Sequence, residues 1–269
     1  MKRTFSSLAC MEASFPELLD YAKGAGYDTL ELRLDKQDNI CGMPKEAVPL
    51  NLMQEKGVSL LDLGTGVGLV DYSPEKIAKA KENVDLAAFV GAKAIRLFVG
   101  AHVRTLSETP NQNIEGIIRS VNEIAAYAAP LNVEIWLEIH SWFSSGKNMK
   151  LILDKVTEKN VKVIWDVIHS VEFCEEPEET MALIGEYIAH VHIKDGKKPQ
   201  DPEQFRWQLT AHGEGELPTA RVLKLLKDAN YQGYLSLEWE SAWHPELNSL
   251  YPDIPTLLEA YNRYMDAAE

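Results

Sequence analysis

The chain has 269 residues, 45% of them hydrophobic, enough for one large core and within the length that a single α/β barrel domain takes up. Against 27 Lys and Arg stand 41 Asp and Glu, and the formal charge of −14 repels nucleic-acid backbones and anionic membranes with no basic tract to offset it. Cys10, Cys41 and Cys174 form no CxxC pair, no apolar run approaches the roughly 20 residues of a membrane span, and Lys2-Arg3 precedes no apolar signal segment, so a reducing cytoplasm is the expected compartment.

Taken in order, eight β-rich runs alternate with amphipathic segments: "TFSSLAC", "DTLELRL", "VSLLDLG", "AIRLFVG", "VEIWLEI", "VKVIWDV", "IAHVHIK" and "YLSLEWE". Ser14 before Phe15-Pro16, Ser73 before Pro74-Glu75, and Pro218 mark helix starts. In "SPEKIAKAKENVDLAAFVGA" the spacing predicts one buried face through Ile77, Ala80, Val84, Ala88 and Val90 or Gly91. The last helix is predicted over Ile254 to Ala268, covering the barrel with Leu257, Leu258, Tyr261 and Met265. Eight such units let the first and last strands pair and remove both edges, which predicts a single-domain (β/α)8 barrel over residues 1–269.

The stretch "LLDLGTGVGLV" looks like a methyltransferase cofactor loop, but two β/α units precede it, and the acid after Gly68 is Asp71, three residues on rather than about 20. Its glycines therefore read as the loop leaving the third strand. The one long connection, Asp195 to Leu217, follows the seventh strand, on the face where barrels keep their chemistry.

Glu138 in "WLEIH", Asp166 in "VIWDVIH", His192 in "HVHIKD" and Glu238 in "LSLEWE" all stand where a strand meets that face. An acid in an apolar strand is costly to bury unless it is paired or binds a cation, and four equivalent placements point to one divalent metal. Three carboxylates and one imidazole favour Mn²⁺, with Mg²⁺ or Co²⁺ as alternatives. Glu240 and His190 share strand parity with Glu238 and His192 and rank below them. His140 faces the same side as Glu138 and is a candidate acid or base, or else a partner that orients Glu138. His102, after the fourth strand, is a candidate substrate contact.

Together "LEIH", "DVIH", "HIKD", "HGEGEL" and "SLEWE" resemble the xylose-isomerase-like barrel superfamily, which includes sugar isomerases and epimerases, inosose dehydratases and endonuclease IV. The resemblance, near the ketose 3-epimerases, implies a metal on Glu138, Asp166, His192 and Glu238 and a substrate contact from His169. Those epimerases carry a substrate-contacting Arg shortly after the metal His; here "KDGKK" offers Lys194, Lys197 and Lys198, and lysine is not an equivalent holder of substrate oxygens. The ending "EWESAWHPEL" resembles a branch that acts on 3-keto-glycosides and eliminates the aglycone, with Trp239, Trp243 and His244 as a wall for the substrate.

The expected chemistry is removal of a proton α to a keto-sugar carbonyl through a metal-stabilised enediolate, with Glu138 and Glu238 as the proton-carrying carboxylates. Return of the proton to the far face is epimerisation, return to the neighbouring carbon is isomerisation, and loss of a β leaving group is a lyase reaction. A phosphodiesterase of the endonuclease IV type conflicts with the charge, and a silent barrel subunit conflicts with the intact ligand set. The expected partners are a sugar or keto-glycoside, further copies of the chain and a small partner subunit that could complete the site.

Overall fold

The computed structural model of the protein describes residues 1–34, 40, 43–201 and 205–269; Cys41 lies outside them. Eight parallel strands run in the order β1-β8-β7-β6-β5-β4-β3-β2: β1 Lys2–Phe5, β2 Thr29–Arg33, β3 Ser59–Leu69, β4 Ala94–Val99, β5 Glu134–Glu138, β6 Val161–Asp166, β7 Ile188–Ile193 and β8 Tyr234–Leu237. Hydrogen-bonded ladders, three of them with a register shift, join seven of the eight neighbouring pairs. The remaining seam, β1 against β2, is closed among the described residues by the single parallel bridge Ser6↔Glu31. Side chains reinforce it: Thr4 Oγ1 donates to the Thr29 carbonyl at 2.8 Å and Ser7 Oγ accepts from Arg33 N at 2.9 Å.

The helices begin where the caps predict. Ser14 and Glu17 form a capping box at α1 (Phe15–Gly24), and after α2 (Leu50–Lys56) the Ser73 side chain accepts from Lys76 N at the start of α3 (Pro74–Val90). The buried face of α3 is Ile77, Ala80, Val84, Ala87 and Val90; Ala88 is exposed, because the 3.6-residue period carries the stripe through position 87. Then come α4 (Ile114–Ala128), α5 (Gly146–Leu153), α6 (Val167–Glu172), α7 (Pro177–Ile184), α8 (Thr219–Asp228) and α9 (Ile254–Ala268). Leu257, Leu258, Tyr261 and Met265 of α9 are buried as expected, and Tyr261 Oη donates to the Leu235 carbonyl of β8. None of these helices is long and apolar enough to cross a membrane.

Two strand expectations are corrected. Ser7–Cys10 is a 3₁₀ turn rather than strand, since Ser6 and Ser7 use their hydroxyls on the Leu8 and Arg33 amides. The glycines of "LLDLGTGVGLV" lie inside β3, which runs on to Leu69 across a register shift against β4 between Gly64 and Gly68. Thr65 sustains that bulge by donating to the Arg96 carbonyl at 2.6 Å and accepting from Val67 N at 3.2 Å. Gly64 is required there because a Cβ would lie 2.8 Å from Arg33 Cδ.

Alternation divides the strands. Leu30, Ile95, Leu137, Val163 and Val191 pack outward under the helices. The interior is polar toward the site: Thr4, Glu31, Asp62, Arg96, His190 and Ser236 are all fully buried. Deeper, Leu61, Ala94, Trp136 and Ile164 form a separate apolar plug.

Candidate active site

Glu138 ends β5, Asp166 ends β6, His192 is the penultimate residue of β7, and Glu238 follows β8 directly. The strands converge them: one ligand-type atom from each lies within 4.8 Å of the others, and all four side chains are buried. His192 Nδ1 faces this cluster, 3.2 Å from Glu238 Oε2 and 4.0 Å from Glu138 Oε1. Behind it, Nε2 lies 2.9 Å from Glu31 Oε2, which also meets His190 Nε2 at 3.2 Å; Glu31 Oε1 accepts from Ser6 Oγ. Glu31 therefore sets the ring so that Nδ1 points forward. Arg96, fully buried, donates from Nη1 to Glu138 Oε2 at 2.8 Å and from Nη2 to the Thr65 carbonyl at 3.0 Å.

Lys194 is placed differently from the substrate contact expected of it. It is buried, and its ammonium lies 2.8 Å from Asp166 Oδ2 and 2.5 Å from Glu238 Oε2, and also bonds Glu240. Lys197 and Lys198 are exposed.

These surroundings set the charges. Burial works against charge on His192, but the Glu238 and Glu31 carboxylates hold its imidazole well above the usual range. Burial likewise opposes ionisation of Glu238, yet Lys194 and His192 keep it well below the ordinary carboxylate value. Burial prevails at Glu138 and Asp166, raising both despite Arg96 beside one and His169 and Lys194 beside the other.

The residues fit a divalent cation. Asp166 Oδ1 is buried without a hydrogen-bond partner, and Asp166 Oδ2 and His192 Nδ1 meet only charged groups of the same oxygen-rich cluster, Lys194 and Glu238.

Glu138 and Glu238 of the cluster line a cavity of about 830 Å³ at the C-terminal mouth of the barrel. His169, in the first turn of α6, stands at the floor's edge with Nε2 3.4 Å from Asp166 Oδ2 and Nδ1 3.0 Å from Glu172 Oε2. His140 lines the wall, half-buried; burial, then the neighbouring His169 and His102, pushes its imidazole well below the usual range. It does not orient Glu138, which Arg96 holds. His102, Trp243 and His244 line the cavity, with the Arg33 guanidinium 5.6 Å from the Trp243 ring centre. Trp239 is not on that wall: it is buried against His212 and Tyr251.

The loop after β7 adds a group the sequence reading missed. Asp195 gathers it, accepting from the amides of Gly196, Gly213, Gly215 and Leu217 at 2.8–3.3 Å. That clamp explains "HGEGEL": Gly213 sits at φ 87°, and a Cβ on Gly215 would collide with Asp195. The loop then delivers Arg206 to the cavity, where Nη1 donates to Glu172 Oε2 at 2.7 Å. A guanidinium thus reaches the wall from much further along the chain than the position just after His192.

A closed parallel barrel with a buried acid–imidazole cluster at its C-terminal mouth defines a (β/α)8 protein with a candidate metal centre. The chain belongs to the xylose isomerase-like TIM barrel family, whose profile matches residues 19–260. It is 24% identical over 182 residues to an inosose dehydratase of Clostridium perfringens, an alignment covering 59% of this chain and 61% of the relative. Among solved structures, the IolI protein with a bound zinc atom superposes at TM-score 0.79 and 18% identity, covering all of this chain and 98% of that one. The D-allulose 3-epimerase from Methylomonas sp. in complex with D-allulose superposes at TM-score 0.76 and 18% identity, over all of this chain and 97% of that one.

Proposed function

We propose that the protein is a divalent-metal-dependent isomerase or epimerase that acts on a keto-sugar by taking the proton α to its carbonyl. The observation that carries this reading is the convergence of Glu138, Asp166, His192 and Glu238 within 4.8 Å of one another, with Glu138 and Glu238 lining the cavity. Those four residues would hold one ion, His192 through Nδ1; the oxygen-rich set favours Mn²⁺, with Mg²⁺, Co²⁺ or the Zn²⁺ found in IolI as alternatives. When bound, the ion polarises the carbonyl and an adjacent hydroxyl and makes the C–H between them acidic.

The chain supplies the proton carriers. Glu138 and Glu238 come from strands separated by β6 and β7, so they reach the substrate carbon from different sides. One carboxylate oxygen takes the proton and the other returns one, to the opposite face for epimerisation or to the neighbouring carbon for isomerisation. Arg96 and Lys194 hold these carboxylates in place, while His169, His102, Arg206 and Trp243 hold the sugar and His140 serves its reacting oxygens.

A dehydratase among the relatives, together with a cavity in the upper part of the usual ligand-pocket range, favours one second reading. In it a group on the carbon next to the deprotonated one leaves with its bonding electrons as the C–H pair becomes a double bond: a hydroxyl, which takes a proton from the carboxylic acid just formed and departs as water, or the aglycone of a 3-keto-glycoside, protonated in the same way.

The test is incubation of ketoses and 3-keto-glycosides in deuterated water, with label and product followed by NMR. Exchange of the α-proton is expected, lost on exhaustive chelation and reduced at least about 100-fold in Glu138→Gln and Glu238→Gln. Full turnover after chelation, or undiminished exchange in both variants, overturns the proposal.

A further inference from the structure

Ser141 follows His140 at the start of a short 3₁₀ turn, and its backbone is held at φ 58°, which costs a non-glycine residue free energy. That conformation puts its hydroxyl between two histidines: Oγ lies 2.7 Å from His140 Nδ1 and 3.4 Å from His102 Nδ1. The His140 ring is held on three sides, with centroids 4.8 Å from Phe98, 5.2 Å from His102 and 4.9 Å from His169. Its Nε2 has no hydrogen-bond partner among the described residues, and the ring lines the cavity. His169 contrasts with it, since carboxylates flank both of its ring nitrogens.

A hydroxyl has one proton to give, and the two Nδ1 atoms compete for it. The 2.7 Å separation is within reach of an O–H donor bond, whereas 3.4 Å lies beyond the usual hydrogen-bond length, so the one hydroxyl proton has its near acceptor in His140. The hydroxyl therefore donates to His140, with His102 behind it in a longer contact. An imidazole that accepts at Nδ1 carries its proton on Nε2.

We infer that Ser141 is a positioning residue which, with His102 behind it, fixes the proton of His140 on Nε2 and so makes that ring a hydrogen-bond donor to a substrate oxygen. His140 then serves the reaction as a preorganised donor to an oxygen that gains negative charge, while the carboxylates move the proton. The tautomer stands on geometry alone; its use on a substrate oxygen rests on the keto-sugar reading.

The tautomer is read by long-range ¹⁵N–¹H NMR of protein labelled at histidine nitrogen, with Ser141→Ala and Ser141→Gly as variants. Glycine tolerates the positive φ, so its melting temperature should equal or exceed that of the parent and show that the fold is intact. The expected spectrum places the His140 proton on Nε2, and the Nδ1 signal moves to that of a free ring nitrogen in both variants. A proton on Nδ1 in the parent, or an Nδ1 signal unmoved in both variants, overturns the assignment. With substrate, both variants should lose about 10-fold in kcat with KM within about twofold. An unchanged kcat overturns the catalytic use. If no ketose or keto-glycoside exchanges its proton in the parent while the spectrum is as expected, the keto-sugar reading fails and the tautomer assignment stands.

Discussion

Glu31 and Arg96 do for the site what its four forward-facing residues cannot do alone. Glu31 fixes the rear of His192 and Arg96 fixes Glu138, so both are positioning groups with no place on the cavity wall. Glu31→Gln should weaken Mn²⁺ binding about 10–100-fold, read by calorimetric titration with MnCl₂. Arg96→Met leaves Glu138 buried without its cation and should cost the metal-free protein roughly 3–5 kcal/mol, read by urea unfolding. An unchanged midpoint and slope would show that the ion pair contributes nothing. Both residues were legible by the rule applied to strands five to eight, since each is a charged residue inside an apolar strand, in "TLELR" and "AIRLFV". They lie one layer deeper than the strand ends, so position at the active-site face does not single them out. Arg206 carried no such mark: it sits in a polar loop, and only the folding of that loop over Glu172 brings it to the mouth.

Among the elements, the loop after β7 depends most on one side chain. Asp195 accepts four backbone amides; Gly215 allows the backbone to come that close, and Gly213 supplies the positive φ of the turn. Gly215→Ala should break two or more of these bonds and cost about 1–3 kcal/mol, with faster proteolytic cutting of the loop as the direct readout. Cutting at the parent rate would mean that the loop is held by something else. The eight strands and the α9 face were legible from alternation and helical spacing, because burial enforces both. The extension of β3 was not, because glycines signal a turn as readily as the close approach of Arg33 that they permit here.

For the whole molecule, His212 ties the last loop to the end of the barrel. Its ring packs 5.5 Å from Trp239, Tyr261 and Tyr264 and 6.2 Å from Tyr251, linking β8, α9 and the site loop. Burial pushes its imidazole down to about 4, and its Nε2 is buried without a partner. The folded protein thus binds this proton less readily than the unfolded chain, whose histidine titrates near 6.5. Stability from this group is complete above that value and falls as pH drops from about 6.5 toward 4, by on the order of 3 kcal/mol. His212→Phe should flatten that part of the curve in urea unfolding at stepped pH; an identical curve would refute the linkage.

Among the described residues the seam between β1 and β2 has one backbone bridge, and its Glu31 is the residue that grips His192. Any local opening of the barrel wall at this seam would therefore move the same residue whose carboxylate aims the imidazole. An ion captured at the mouth would slow that breathing, and its mark should be amide protection against deuterium in Lys2–Ser6 and Thr29–Arg33, strands that contribute none of its four ligands.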